Sequence, residues 1–136
     1  MQEAAFKLDE YRFTKASLDF TLPSDAGLML SFNPQGVFNQ AQARYELTFD
    51  VMIVCKDTDA LVVGVSCVAS FSFENVHKLS DIPDYFYPNS IAILFPYIRA
   101  FVSTMSLQAN IQPILLPTVN LIGLTDDLKN NTKVSD

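Results

Sequence analysis

From Ala41 to Cys55 every odd position is apolar (Ala41, Ala43, Tyr45, Leu47, Phe49, Val51, Ile53, Cys55), and Gln42, Arg44, Glu46, Thr48 and Asp50 fill the first even ones. A period of two sustained over that length predicts a β-strand with one buried face. Lys56-Asp57-Thr58-Asp59 reads as a turn, and Leu61, Val63, Val65, Cys67, Ala69, Phe71 and Phe73 then continue the same phase to Glu74. The two runs predict a hairpin. A loop centred near Thr58 sets Cys67 opposite Phe49, Cys55 opposite Leu61, Met52 opposite Gly64 and Val54 opposite Val62. On that register the two cysteines lie about six residues apart along the sheet, roughly 20 Å, which is beyond disulfide reach. The even face carries a small apolar patch at the tip end, Met52, Val54, Val62 and Val68. It requires a cover, either another segment of the same chain or a partner surface.

Phe6 to Leu22 is also extended, but its apolar phase changes: Phe6 and Leu8, then Tyr11 and Phe13, then Ala16, Leu18, Phe20 and Leu22. Phase changes of this kind predict bulges. Pro23 to Gly27 reads as a turn, and Leu28, Leu30 and Phe32 as a short strand ended by Asn33-Pro34-Gln35-Gly36. After His77 and the aromatic, proline-punctuated stretch from Asp81 to Asn89, the period changes. Ile91, Leu94, Phe95, Ile98, Phe101, Val102 and Met105 predict a helix from Ser90, capped by Asn89 or Ser90 and fading near Gln108 to Asn110. Pro96 inside it predicts a kink or a later start. An apolar link from Ile111 to Val119 leads to a second helix from about Asn120 to Asn130, with Leu121, Leu124 and Leu128 on one side. The polar residues from Asn131 to Asp136 predict a disordered tail. The fold class is α+β: a four-stranded antiparallel meander, then a long helix and a short C-terminal helix, in one domain spanning 1–136.

Composition narrows the function. The chain of 136 residues is 49% hydrophobic and 18% charged, with 11 Phe and 5 Tyr, more apolar surface than one small core needs, which points to an interface. A net charge of -6 with only nine Lys and Arg argues against nucleic acid, which is gripped by clustered basic residues. Met1 to Leu8 holds no apolar stretch flanked by basic residues, and the longest apolar runs fall short of the roughly 20 residues that cross a bilayer. The expectation is a cytoplasmic protein without membrane insertion, whose thiols stay reduced.

No catalytic constellation emerges. His77 is the one histidine and reads as a solvated connector; Cys67, placed mid-strand on the buried face, is poorly suited to act as a nucleophile with it. Metal ligands at short spacing and a glycine-rich phosphate cradle are both lacking. Asp57 with Asp59, Asp81 with Asp84, and Asp126 with Asp127 read as turn, cap and solvating residues. The chain is expected to be a non-enzyme without cofactor or metal.

Tyr87-Pro88-Asn89 followed by Ile93-Leu94-Phe95-Pro96-Tyr97-Ile98-Arg99 resembles the SecB export-chaperone family, whose long helix opens with Pro-Asn and a Leu-Phe-Pro-Tyr-x-Arg signature. Leu116-Pro117-Thr118-Val119-Asn120-Leu121 is similar to that family's Leu-Ala-Pro-Val-Asn-Phe, and Tyr11-Arg12-Phe13-Thr14-Lys15 to its opening strand. The resemblance implies an ATP-independent holdase that binds unfolded or precursor polypeptides for export, assembled as a homotetramer, a dimer of dimers, and meeting a SecA-type motor. Relatives dedicated to a toxin-antitoxin pair make an antitoxin the alternative partner, and a small-molecule or lipid carrier using the same groove is a third reading. Peptide would be bound by Leu28, Leu30, Phe32 and Phe38 with Leu121, Leu124 and Leu128, residues that serve equally well as ordinary core. The oligomer interface would use Phe95, Ile98, Phe101, Val102 and Met105. The partner surface would use Met52, Val54, Val62 and Val68.

Overall fold

The computed structural model describes residues 5–21, 27–116 and 122–135. In chain order its elements are the strands β1 (Ala5–Leu18), β2 (Leu28–Asn39), β3 (Arg44–Cys55) and β4 (Leu61–Glu74), the helices α1 (Phe86–Gln108) and α2 (Ile122–Asn130), and the strand β5 (Thr132–Ser135). They form one sheet of order β1-β4-β3-β2-β5. The first four strands pair antiparallel, and β5 runs parallel to β2. The α+β class, the long helix and the short second helix agree with the sequence reading. The meander does not: β1 and β2 lie on opposite sides of the β3–β4 hairpin, so the chain crosses over between them.

The hairpin register agrees with expectation from Arg44↔Ser72 to Ile53↔Val63, including Phe49↔Cys67 and Met52↔Gly64. A bulge between Ile53 and Val54 then sets Val54 opposite Leu61, not Val62. One extra residue reverses the faces at the tip. Val62 turns into the core at 5% exposure, and Leu61 comes out at 38%. The phase changes in β1 are two further bulges, between Leu8 and Glu10 and between Phe13 and Lys15. Ala41 to Ala43, expected in a strand, form the turn before β3, with Ala43 at φ 51.

β2 continues through Pro34 and Gly36, where the sequence predicts a stop. β5 reaches only Gly36, and the Pro34 nitrogen lies on the side of β2 away from β3, so its missing N–H costs no bond of the β2–β3 ladder. Gly36 is required by close approach: a Cβ there would fall on the Tyr45 hydroxyl. That hydroxyl is 2.6 Å from the Thr132 hydroxyl, and burial pushes its pKa well above the usual tyrosine range. The predicted disordered tail is therefore the strand β5, anchored through Thr132, which also donates to the Leu128 carbonyl at 2.7 Å.

α1 begins one turn earlier than the periodicity predicts. Pro88 lies in its first turn, where backbone N–H groups have no intrahelical partner, so it does not delay the start. Pro96 is accommodated inside an unbroken helix. Asn110 at φ 60 closes the far end: its N–H donates to the Leu107 carbonyl at 3.0 Å and the Ile111 N–H to the Ser106 carbonyl at 3.2 Å, a Schellman stop. The buried Ser106 hydroxyl accepts from the Ile114 N–H at 2.9 Å and so ties the following link to the helix.

The odd residues of β3, and those of β4 from Val63 to Phe73, make the core with Phe86, Ile91, Leu94, Ile98 and Val102. Phe86 is its hub, fully buried with ring centroids 4.8 Å from Tyr45 and Phe73, 4.9 Å from Phe6 and 5.4 Å from Phe71. Cys55 and Cys67 are free and buried. Burial pushes the Cys67 thiol up to about 11.

Candidate functional site: an apolar lip on the helix side of the sheet

Toward the hairpin tip the sheet's inner face loses its cover at the flanks. Leu30, Ile53, Val63 and Leu18 form one cross-strand row. Ile53 and Val63 in its middle are buried, Leu30 is half-buried and Leu18 is 41% exposed. In the next row Leu28, opposite Cys55, is 44% exposed. Phe32, one row inward, is tied to the core by rings 5.8 Å from Phe95 and 6.1 Å from Phe49. Leu28, Leu30 and Phe32 thus descend from solvent into the core along one strand.

α2 packs on β2 and supplies the neighbouring wall. Its C-terminal end is fastened to the start of α1 by Lys129, 2.9 Å from Asp84 and 5.9 Å from the Tyr87 ring centre. An exposed pair of this kind contributes little stability, but it fixes where the helix sits. Leu124 is half-buried against the core, whereas Leu128 is fully buried. Among the described residues the strand partner of β2 is β3 from Leu28 to Gln35, with β5 added from Gly36 to Asn39, and Pro34 within that stretch is buried. An apolar floor that rises to solvent along one strand can take the apolar side chains of a client.

Of the residues expected to bind peptide, Leu28, Leu30 and Phe32 lie along this lip, Leu124 is half-buried on α2, and Leu121 lies outside the described residues. Phe38 and Leu128 are corrections. Both are completely buried, Phe38 with its ring 5.8 Å from that of Phe73, because β5 and α2 close over that end of β2.

The expected oligomer interface is corrected more broadly. Phe95, Ile98 and Val102 are buried by their own sheet; Phe101 stacks on Phe13 at 4.0 Å, and Met105 packs half-buried on the core. A single helix covering a sheet must turn its main apolar stripe inward. The face left outside holds Pro96, Tyr97, Ala100 and Leu107, with Arg99 the one charged residue in α1. Tyr97 stacks on Tyr11 at 4.3 Å and is 41% exposed; Leu107 is 57% exposed. Beside it a cleft of ≈ 270 Å³ is lined by Pro96, Arg99, Ala100, Ser103, Leu115 and Leu116, and Leu115 is 74% exposed. Sequence reasoning passed over Tyr97 and Leu107 because they fall off the inward stripe. The available signal is a long helix whose outer side is nearly free of charge. By length and composition α1 is also apolar enough to cross a membrane, though here one side of it packs on the sheet.

On the open face of the sheet the expected patch is rearranged. Met52 at 44% and Met29 at 49% exposure lie on neighbouring strands with half-buried Val54. The bulge adds Leu61, whose Cδ2 would lie 3.2 Å from a Cβ at Gly64. Val62 leaves the patch for the core, and Val68 is half-buried further along. Among the described residues, no group of three or more His, Cys, Asp or Glu gathers in metal-binding geometry.

No protein-family profile matches the chain. A 41-residue stretch is 49% identical to the uncharacterized protein MJ0357 of Methanocaldococcus jannaschii, covering 30% of this chain and 26% of that protein. The fold is similar to that of the SecB-like chaperone Rv1957 of Mycobacterium tuberculosis, solved in complex with a ChAD peptide from the Rv1956 HigA1 antitoxin. The TM-score is 0.69 at 15% sequence identity, over 85% of this chain and 88% of that one. The SecB-like fold read from the motifs is thus the fold of this chain.

Proposed function

We propose that this protein is a SecB-like, ATP-independent chaperone of the cytoplasm, holding unfolded or precursor polypeptides along the lip of Leu28, Leu30 and Phe32 together with Leu124 of α2. The observation that carries this reading is the row of Leu28, Leu30 and Phe32, which leads along β2 from solvent into the core. Burying apolar client side chains there gains roughly 25 cal/mol per Å², so no nucleotide is needed for capture. A client that has folded does not offer those apolar side chains. The fold likeness to a chaperone that binds a peptide supports the same reading.

Assembly into a homotetramer would use the outer face of α1. Its Pro96, Tyr97, Ala100 and Leu107, with Leu115 beside them, form apolar area that a second copy would cover. Export through a SecA-type motor would engage the open face of the sheet, where Met29, Met52, Val54 and Leu61 lie. A second reading, a chaperone dedicated to one antitoxin, is favoured by the peptide carried by the mycobacterial neighbour.

Light scattering on the purified protein should report four copies, and aggregation assays without ATP decide between the two readings. A general holdase protects several unrelated unfolded proteins. Protection of a single antitoxin selects the dedicated chaperone, and failure to protect any client rejects both.

A further inference from the structure

On the open face of the sheet, one row of side chains crosses four strands. Met52 of β3 stands opposite Ser31 of β2 on one side and Gly64 of β4 on the other, and Gly64 stands opposite Ser17 of β1. Ser17 and Ser31 are exposed, and a serine or a glycine is too short to shield a thioether. The Met52 sulfur therefore rises clear of its row, and the residue is exposed. Met29 stands opposite Val54, two residues further along β3, and is exposed on the same face. Diagonal neighbours on adjacent strands lie within reach of long side chains, so the two thioethers share one patch.

The rest of that patch is aliphatic. Leu61, turned outward by the bulge, lies beside Gly64, and Val54 is half-buried between Met29 and Leu61. The two sulfurs are thus the atoms of the patch open to mild oxidation. Ser31, directly across the ladder from Met52, holds a hydroxyl that can donate to an oxygen placed on that sulfur. Met105 is in a different setting, half-buried on α1 against the core, where an oxidant reaches the sulfur less readily.

We propose that Met29 and Met52 form a paired, reversible oxidation site, converted to sulfoxides by hydrogen peroxide and restored by methionine sulfoxide reductases. In the forward step a sulfur lone pair attacks one peroxide oxygen; the O–O bond breaks, an S–O bond forms and water leaves. The sulfur loses two electrons and the peroxide gains them. In the return step two thiols of the reductase become a disulfide and the oxygen leaves as water. A sulfoxide is polar and chiral where the thioether is apolar and flexible, so the exposed centre of the patch changes from apolar to polar while the buried face of the sheet is untouched. The patch is the one assigned above to an export motor, and oxidation would weaken such an apolar contact; the oxidation site itself does not depend on that assignment.

Hydrogen peroxide applied to the folded, full-length protein, with each oxidised residue located by peptide mass mapping, tests this. Met29 and Met52 should each gain an oxygen before Met105 does, and reductases for both sulfoxide epimers should remove it again. The oxidised protein should leave a hydrophobic-interaction column earlier than the reduced protein, with its circular dichroism spectrum unchanged. A protein carrying Met29→Leu and Met52→Leu keeps the patch apolar and should show no such shift under the same treatment. Oxidation of Met105 in step with Met29 and Met52 would overturn the inference, as would an unchanged retention time. So would a double variant that shifts as far as the unaltered protein, or a circular dichroism spectrum lost on oxidation.

Discussion

A protein carrying Leu28→Asp and Leu124→Asp is expected to fold normally and to lose its hold on unfolded clients. Leu28 is 44% exposed and Leu124 half-buried, so neither substitution opens the core. Each removes apolar area that a client would cover, about 1 kcal/mol or more for half of a leucine side chain, and each adds a carboxylate that capture would have to desolvate. Together they should weaken client binding by about 30-fold to 150-fold, 2 to 3 kcal/mol. Circular dichroism and a denaturant midpoint like those of the unaltered protein, with capture lost, would locate the site. Full capture by the double variant would remove Leu28 and Leu124 from it.

Phe86→Ala should act on the fold instead. Phe86 is completely buried among Phe6, Tyr45, Phe71 and Phe73, and it joins the first turn of α1 to both edge and central strands. Truncating a buried phenylalanine costs about 3–5 kcal/mol, a large part of the roughly 5–15 kcal/mol that keeps a domain folded. Urea unfolding should show the midpoint falling sharply or the transition vanishing. A loss below about 1 kcal/mol would mean that the aromatic cluster is not the hub of this core, since even modest truncations exceed it. The contrast between the two variants separates apolar residues that bind from apolar residues that support.

That separation is what the sequence conveys least. Strict alternation around Thr58 was enough to set Phe49 opposite Cys67, because a slip by one residue would turn every odd side chain to water. The broken phase of Phe6, Leu8, Tyr11 and Phe13 announces bulges that do occur. The bulge beside Ile53 left no trace, since Leu61 and Val62 are both apolar and exchange faces without disturbing the pattern. β5 was unreadable for a different reason: Thr132 to Ser135 contain one apolar residue, and the strand is held by backbone bonds to β2, which composition does not record.

The candidate site shows the same limit. Leu28, Leu30, Phe32 and Phe38 carry the same phase along β2, yet they run from 44% exposed to fully buried. What distinguishes them is the end of the strand that β5 and α2 close over, a tertiary fact. On α1 the stripe of Phe95, Ile98 and Val102 was legible as an apolar face, but periodicity is silent on whether a face meets its own sheet or another chain. Here it meets its own sheet, and the weaker outer face of Tyr97, Ala100 and Leu107 is the one left exposed.

Calorimetric titration with one polypeptide in two forms, folded and held permanently unfolded by reduction and alkylation, tests the central proposal most directly when performed without nucleotide. The unfolded form is predicted to bind with a negative heat-capacity change, the mark of apolar burial, and the folded form not to bind. Equal binding of both forms, or no binding of the unfolded one, would contradict the account.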